Sequence, residues 1–268
     1  MLKDTLFRVP RARGLQLLHG RGDTGGAREL TTWRLVLAGG ETTEFQRDGE
    51  ETVFVLQQGA GSLTTPAGTW TVSRASVFGE RATALYLPPG MPLTVAATAP
   101  LEAVLIAAPT DQAGSPALVT PADVTVNARG RDTFAREVHD LFVRDPHARR
   151  LMVGETFNPP GHWSSYPPHK HDGRNGEPFL EEVYYYRVDP AHGFGHQMLY
   201  TEDGESVTHQ VRDGDAVLLP YGYHPVSSPP GYALYYLWAM AGDERKLALY
   251  EDPAHRWIHD HDAGSAPR

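Results

Sequence analysis

Two β-prone stretches in the first half of the chain recur in the second half. Residues 51–56 resemble residues 181–186, and residues 85–92 resemble residues 217–224. The spacing between the two blocks is nearly the same in each half. Self-similarity of this kind is typical of a duplicated structural unit. The chain is therefore predicted to contain two copies of one domain.

The boundary between the two copies is expected in the loop-like stretch at residues 109–131. This boundary places a first domain at residues 1–125 and a second domain at residues 126–268. A length of 268 residues is sufficient for two modest domains, each with its own apolar core.

Glycine and proline interrupt the sequence throughout. The 27 glycines and 22 prolines separate short runs that are rich in Val, Leu, Tyr, Phe and Thr. Many short strands joined by frequent turns are typical of β-sandwiches and β-barrels. The predicted fold class is all-β, with two β-barrel or jelly-roll domains in one chain. Helical spacing is scarce: residues 132–143 suit one short helix, and a strand fits them nearly as well.

Composition and charge narrow the classes of function. The formal net charge of -9 argues against nucleic-acid binding, which requires a basic face, but it permits an anionic small-molecule substrate. The absence of cysteine excludes disulfides and thiolate metal sites. No run approaches the roughly 18 apolar residues of a membrane span, and the N-terminus lacks a signal-peptide core. A cytoplasmic protein is expected, as a monomer or a homo-oligomer.

Histidines concentrate in the second half of the chain. Of the 13 histidines, His19 alone precedes position 139. His169 and His171 form a His-x-His pair, and a strand would place both on one face, roughly 7 Å apart at Cα. Glu182 opens an aromatic run, and His224 follows a Pro-x-Gly turn. Imidazoles and a carboxylate that converge in this way can bind one divalent metal ion.

Each of these residues also has a simpler interpretation. A His-x-His pair on its own is more often part of an exposed loop. Glu177 or Glu181 could take the place of Glu182, which is preferred because it directly precedes the aromatic strand. Lys170 lies between the two histidines, so strand alternation predicts that it points away from the metal and into solvent.

The first copy of the repeat lacks these ligands. The position that matches Glu182 is Thr52, and the position that matches His224 is Pro92. A metal site is therefore predicted only in the second domain. Ligand type leaves Zn²⁺, Mn²⁺, Fe²⁺ and Ni²⁺ open, and Zn²⁺ is the preferred expectation.

The order of the ligands resembles the cupin family. Cupins carry a His-x-His pair, a short spacer and Glu, followed by a second motif of Gly, five residues, Pro-x-Gly and His. Residues 214–224 resemble the second motif. This chain departs in two ways: ten residues separate His171 from Glu182, and one residue rather than two separates Gly222 from His224. The resemblance implies a divalent metal held inside a small β-barrel.

A more specific resemblance rests on residues 163–172, 182–187 and 222–227. These blocks resemble the 5-deoxy-glucuronate isomerase family of inositol catabolism, whose members are two-cupin proteins with the metal in the C-terminal cupin. The resemblance implies conversion of a small anionic sugar acid, 5-deoxy-D-glucuronate, to 5-dehydro-2-deoxy-D-gluconate. His162 is a departure, because the family pattern has Asn there.

The residues that would contact substrate are less defined. Tyr184 and Tyr186 alternate in phase with Glu182, so they are predicted to face the barrel interior and bind sugar hydroxyls, or to be core aromatics. Glu155 is a candidate general base. Arg174 is a candidate for the substrate carboxylate, and so is Arg187, although both could simply be exposed.

Three alternative functions stay open at this level. The uronate isomerase of pectin breakdown shares the fold and metal site implied by the resemblance. A cupin dioxygenase would use the same ligands with Fe²⁺ to activate O₂. A non-catalytic sugar-binding cupin would bind ligand without turnover.

Overall fold

Antiparallel strands make up almost all of the regular structure. The computed structural model describes residues 1–260, and no α-helix occurs among them. Three short 3₁₀ turns lie at Leu2–Asp4, Asp132–Phe134 and Arg256–Asp260. In chain order the strands are β1 Leu6–Phe7, β2 Gly14–His19, β3 Thr31–Leu37, β4 Thr42–Phe45, β5 Glu50–Thr65, β6 Gly68–Arg74, β7 Ala84–Leu87, β8 Leu93–Ala97, β9 Leu101–Pro109, β10 Ala117–Val119, β11 Thr125–Arg129, β12 Arg136–Asp140, β13 Met152–Asn158, β14 Trp163–Ser164, β15 His169–Lys170, β16 Leu180–Asp189, β17 Gly195–Tyr200, β18 Ser206–Val211, β19 Ala216–Leu219, β20 Val226–Ser227, β21 Ala233–Gly242 and β22 Tyr250–Glu251.

The strands separate into two groups of sheets. In the first half, β2 to β10 form one nine-stranded sheet with the central order β10-β7-β5-β9-β3-β2. In the second half, a seven-stranded sheet has the order β1-β19-β16-β21-β13-β12-β11, and a four-stranded sheet has the order β14-β20-β17-β18. β15 and β22 form a separate two-stranded ribbon. The predicted all-β fold with two cupin barrels is confirmed.

Strand pairing follows the repeat seen in the sequence. β5 lies between β7 and β9, as β16 lies between β19 and β21. Thr52 pairs with Leu87, and the matching residue Glu182 pairs with Leu219. The two central strands therefore occupy the same place in each half, although their side chains carry different chemistry.

The two central strands bury both of their faces. Phe54 belongs to an apolar cluster within the first half, whereas Tyr184 belongs to a cluster within the second half. Their neighbours Val53 and Val183 point the other way, into a third cluster that both halves share. Alternation along a strand thus supplies an interior for each barrel and a common core between them.

Residues 132–143 contain a 3₁₀ turn and the strand β12, and no α-helix. After the 3₁₀ turn, β12 pairs with β11 on one side and β13 on the other. Val138 packs against the barrel interior, whereas Leu141 and Phe142 join the shared core. The apolar residues therefore serve two different cores, so their helix-like spacing does not mark one helical face.

The first residues of the chain cross to the second half. Leu6 pairs with Val217, and Leu2 is buried in the core of the second barrel. The division at residue 125 stays a prediction. The first residues precede that division in the sequence, but they pack in the second barrel. No helix within residues 1–260 has the length and apolar character needed to cross a membrane.

Candidate metal centre

Three of the predicted ligands converge inside the second barrel. Ligand atoms of His171, Glu182 and His224 all lie within 4.8 Å of one another, and all three side chains are buried. His171 Nε2 is 3.1 Å from Glu182 Oε2, and His224 Nε2 is 3.5 Å from the same oxygen. Two imidazoles and a carboxylate at this separation are suited to a divalent cation.

Backbone carbonyls set which nitrogen each imidazole presents to the cluster. His171 Nδ1 donates to the carbonyl of Leu180 at 2.6 Å, and His224 Nδ1 donates to the carbonyl of Gly222 at 2.9 Å. A carbonyl only accepts, so the ring proton resides on Nδ1 and Nε2 keeps its lone pair in the neutral ring. His224 Nε2 is buried without a hydrogen-bond partner. The donor set therefore fits a metal ion.

Local backbone geometry places His224. The strand β19 ends at Leu219, and the turn that follows includes Gly222 at φ +87°. A Cβ at Gly222 would lie 2.6 Å from the carbonyl oxygen of Tyr200, so only glycine fits this turn. The turn directs His224 back toward Glu182 on the neighbouring strand.

His169 lies beside this three-residue cluster. Its ring is edge-on to that of His224, with centroids 4.8 Å apart, and it lines the adjoining cavity. Burial, followed by the charges of His171 and Arg136, lowers the pKa of His169 to about 3. The imidazole is therefore neutral, which is the form that binds metals. The complete set of four ligands stays a prediction. Three of them, His171, Glu182 and His224, form the compact cluster.

The structure separates Glu182 from its two alternatives. Glu181 points out of the barrel, where it accepts hydrogen bonds from the backbone N–H groups of residues 28–30. Glu177 forms an ion pair with Lys170 at 2.8 Å. The expectation that Lys170 is solvated is wrong: it is 2% exposed, because Asp172 and Glu177 compensate its charge inside the protein.

A cavity of about 700 Å³ adjoins the metal cluster. His169 and Glu182 lie on its wall, together with the hydroxyl-bearing side chains of Tyr184 and Tyr236. The rings of the two tyrosines stack with centroids 4.3 Å apart. Burial raises the pKa of both hydroxyls, so they stay protonated at neutral pH.

Of the three candidate catalytic residues, one lines the cavity and two do not. Tyr184 lines the cavity, whereas Tyr186 is more deeply buried and donates to Gln197. Glu155 lies on the opposite face of β13, where it forms an ion pair with Arg74 at 2.7 Å. Because that carboxylate is sealed between the two barrels, the structure does not bring it to the metal cluster.

The arginines predicted to bind substrate lie elsewhere. Arg174 is exposed and stacks over the ring of Tyr221, outside the residues that line the cavity. Arg187 forms an ion pair with Asp213 at 2.7 Å. His162 donates to a backbone carbonyl and acts as a loop residue.

Sequence reasoning missed several residues that line the cavity. Arg136 comes from β12, and Tyr236 and Trp238 come from β21. Neither strand carries a metal ligand. The period-2 alternation of β21 beside Glu182 was the one signal that could have identified Tyr236 and Trp238.

The fold and the buried cluster define a two-barrel cupin protein with a candidate divalent-metal centre in its second barrel. Residues 13–258 match the KduI/IolB family. The chain belongs to this family, in agreement with the resemblance found in the sequence.

Relatives and solved structures agree with this membership. A protein of Geobacillus kaustophilus named 5-deoxy-glucuronate isomerase is 39% identical over 229 residues, which cover 83% of each chain. A protein of the same name from Bacillus subtilis strain 168 is 34% identical over 94% of this chain and 98% of its own. The crystal structure of an IolB-like protein from Salmonella typhimurium LT2 has a TM-score of 0.89 at 30% identity, covering 95% of this chain and 99% of that one.

A more distant structure shows the fold alone. An oxalate decarboxylase from Lactobacillus farciminis has a TM-score of 0.68 at 12% identity, covering 97% of this chain and 89% of its own. The two-barrel scaffold is therefore found in proteins whose names indicate different chemistry, so the site must decide the function.

Proposed function

We propose that this protein is a metal-dependent aldose–ketose isomerase that converts 5-deoxy-D-glucuronate to 5-dehydro-2-deoxy-D-gluconate in inositol catabolism. The observation that carries the proposal is the cavity in which Glu182 and His169 adjoin a wall of tyrosine hydroxyls. The names of its close relatives support the same reaction.

The reaction moves hydrogen between C2 and C1 of the sugar acid, as a proton through an enediol or as a hydride. Negative charge develops on the two adjacent oxygens in either case. A divalent ion, which we propose to be zinc, would be held by His169, His171, Glu182 and His224 and would act as a Lewis acid toward that charge.

The tyrosines on the cavity wall can orient the substrate for this reaction. Tyr184 shares a hydrogen bond of 3.0 Å with Ser165, and Tyr236 donates to Ser164 at 2.8 Å. These contacts hold both rings in place on the cavity wall. The Tyr184 hydroxyl stays protonated and can accept the hydrogen of Ser165, so we propose that it donates a hydrogen bond to a substrate oxygen and does not act as a base. The hydrogen of Tyr236 is used on Ser164, so its oxygen can accept a hydrogen bond from a substrate hydroxyl.

The experiment is an anaerobic assay of the purified protein with 5-deoxy-D-glucuronate, followed by NMR, with metal content measured on the same sample. Turnover without O₂ and loss of turnover after chelation are expected. Faster turnover of the pectin-derived uronate would overturn the substrate assignment. A requirement for O₂ would indicate a dioxygenase, and binding without turnover would indicate a sugar-binding protein.

Removal of one ligand gives the first prediction. His171→Ala should lower the metal content and reduce turnover by more than about 100-fold, because loss of even an outer partner of a ligand costs 10–100-fold. His192→Ala changes an exposed histidine and serves as the matched control. Full metal content in His171→Ala would contradict the assigned ligand.

A further inference from the structure

Two arginines lie side by side on the wall of the cavity. Arg129 ends β11 and Arg136 begins β12, and the two residues are direct cross-strand partners. Both line the cavity that adjoins the metal cluster. Like charges directly opposite each other on neighbouring strands are destabilising. The pair therefore needs an explanation beyond folding.

The guanidinium of Arg136 is held in a defined position. Its Nη1 donates to the carbonyls of Phe134 at 3.0 Å and Tyr166 at 3.1 Å. Gly130, at φ +70°, leaves space for it, since a Cβ there would lie 2.6 Å from Nη1. Within residues 1–260 these are the hydrogen bonds formed by the side chain of Arg136, so Nε and Nη2 are available to a ligand.

Neither arginine has an acidic partner among the described residues. No carboxylate of residues 1–260 forms an ion pair with Arg129 or Arg136. Other arginines of this protein are compensated: Arg74 is paired with Glu155, and Arg245, on the same cavity wall, is paired with Asp145 at 2.6 Å. Burial and the charge of Arg129 lower the pKa of Arg136, since both disfavour its charged form.

We propose that Arg129 and Arg136 bind the carboxylate of the sugar acid and so determine which end of the substrate reaches the metal ligands. The inference rests on the proposed function, because that substrate carries a carboxylate at one end and an aldehyde at the other. Guanidinium groups match a carboxylate through paired N–H donors. An anion between the two arginines would also remove their mutual repulsion.

The test compares Arg129→Met and Arg136→Met with Arg13→Met, which removes the same charge from an exposed site in the first half, outside the cavity. Substrates are 5-deoxy-D-glucuronate and its neutral analogue 5-deoxy-D-glucose. Each cavity variant should raise KM for the acid about 10- to 100-fold, with kcat changed only a few-fold, as expected for loss of a charged hydrogen-bond donor. KM for the neutral analogue and all constants of Arg13→Met should stay unchanged.

A binding measurement separates this inference from the proposed function. Calorimetry with chelator-treated protein and 5-deoxy-D-glucuronate should show weaker binding to both cavity variants than to wild type. Arginine-dependent binding without isomerase activity would overturn the proposed function and leave the inference standing. Equal KM and equal binding in wild type and variants would overturn the inference, even with full isomerase activity.

Folding is checked by thermal unfolding of each variant. Arg129 is exposed, so Arg129→Met is expected to keep the melting temperature of wild type. If Arg136→Met does not fold, Arg136→Gln provides a second route, because an amide can keep a hydrogen bond to the carbonyl of Phe134 while removing the charge. An unchanged KM for the acid in both Arg129→Met and Arg136→Gln would overturn the proposal.

Discussion

Hydrogen bonds to single backbone oxygens control the histidines of this protein. The carbonyls of Leu180 and Gly222 orient His171 and His224, which leaves Nε2 of each ring directed at Glu182. The same contacts would raise the basicity of a ligating nitrogen. At the scale of one residue, the candidate metal centre thus depends on backbone groups that a residue pattern does not reveal.

His19 shows what happens without such a partner. It is fully buried in the first half, and within the described chain neither ring nitrogen has a hydrogen bond. Burial lowers its pKa to about 4, against a weaker opposing influence of Asp23. The folded state therefore disfavours the imidazolium form, whereas the unfolded chain accepts a proton near pH 6.5.

This difference predicts acid sensitivity. Because the pKa of His19 is lower in the folded state than in the unfolded chain, its contribution to the free energy of unfolding is fully present above pH 6.5. This contribution is lost as the pH falls from 6.5 to about 4. At the lower end of this pH range the free energy of unfolding is reduced by about 3 kcal/mol. Denaturant unfolding of wild type and His19→Gln over this range should show a smaller pH slope for the variant. Equal slopes would contradict the prediction.

The short strand β15 is stabilised by a buried charge. It carries His169 and Lys170 and pairs with β22 near the end of the described chain. Lys170 Nζ lies 2.5 Å from Asp172 and 2.8 Å from Glu177. Burial disfavours its charge, yet the hydrogen bonds to these two carboxylates raise its pKa above the usual range. These ion pairs connect β15 to the ten-residue segment between His171 and Glu182.

Loss of this charge should weaken both the fold and the metal site. Lys170→Met leaves two buried carboxylates uncompensated, so the free energy of unfolding should fall by about 3–5 kcal/mol. Metal affinity should fall as well, because His169 and His171 flank the altered residue. Lys246→Met, at an exposed lysine, is the control. The measurements are denaturant unfolding and metal titration, and wild-type values in both would refute this role.

The strand β12 illustrates how an element divides its side chains between two environments. Arg136 and Val138 face the cavity, whereas His139 is buried on the other face, next to Glu155. The pattern of apolar residues alone resembled a helix because residues from two separate cores were counted together. Pairing with β13 decided the conformation, since it satisfies the backbone hydrogen bonds of this segment.

At the scale of the whole molecule, two carboxylates join the halves reciprocally. Glu51 accepts hydrogen bonds from the backbone N–H groups of residues 149–151 at 2.6–2.8 Å. Glu181, the matching residue of the second copy, accepts them from residues 28–30 at 2.7–3.1 Å. Each half therefore binds the segment that leads into the first long strand of the other half.

Both contacts should contribute to global stability. Glu51→Ala and Glu181→Ala each leave three backbone N–H groups without an acceptor, so each should lower the free energy of unfolding by about 3 kcal/mol. Glu44→Ala, at an exposed glutamate, is the matched control. Urea unfolding monitored by circular dichroism measures the effect. A loss no larger than that of the control would argue against the reciprocal contact.

The fold class and the centre of the candidate site were accessible from the sequence by itself. Short β-prone runs, the repeat and the His-x-His pair are local patterns, because alternation along a strand and the turn before His224 act over a few residues. Those patterns predicted two all-β domains and a metal cluster in the second half, and the resemblance to cupins identified the domains as barrels of that family. They also placed Tyr184 in the interior.

The tertiary structure alone decided the surroundings of that cluster. Arg136 reaches the cavity through the pairing of β12, and Glu155 is withdrawn from it by Arg74, which is 81 positions away. Burial of Lys170 likewise depends on its ion pairs with Asp172 and Glu177, which form only when the segment after His171 packs against β15. Strand order and long-range ion pairs place these side chains, because the energy of a charge depends on what the whole fold packs around it.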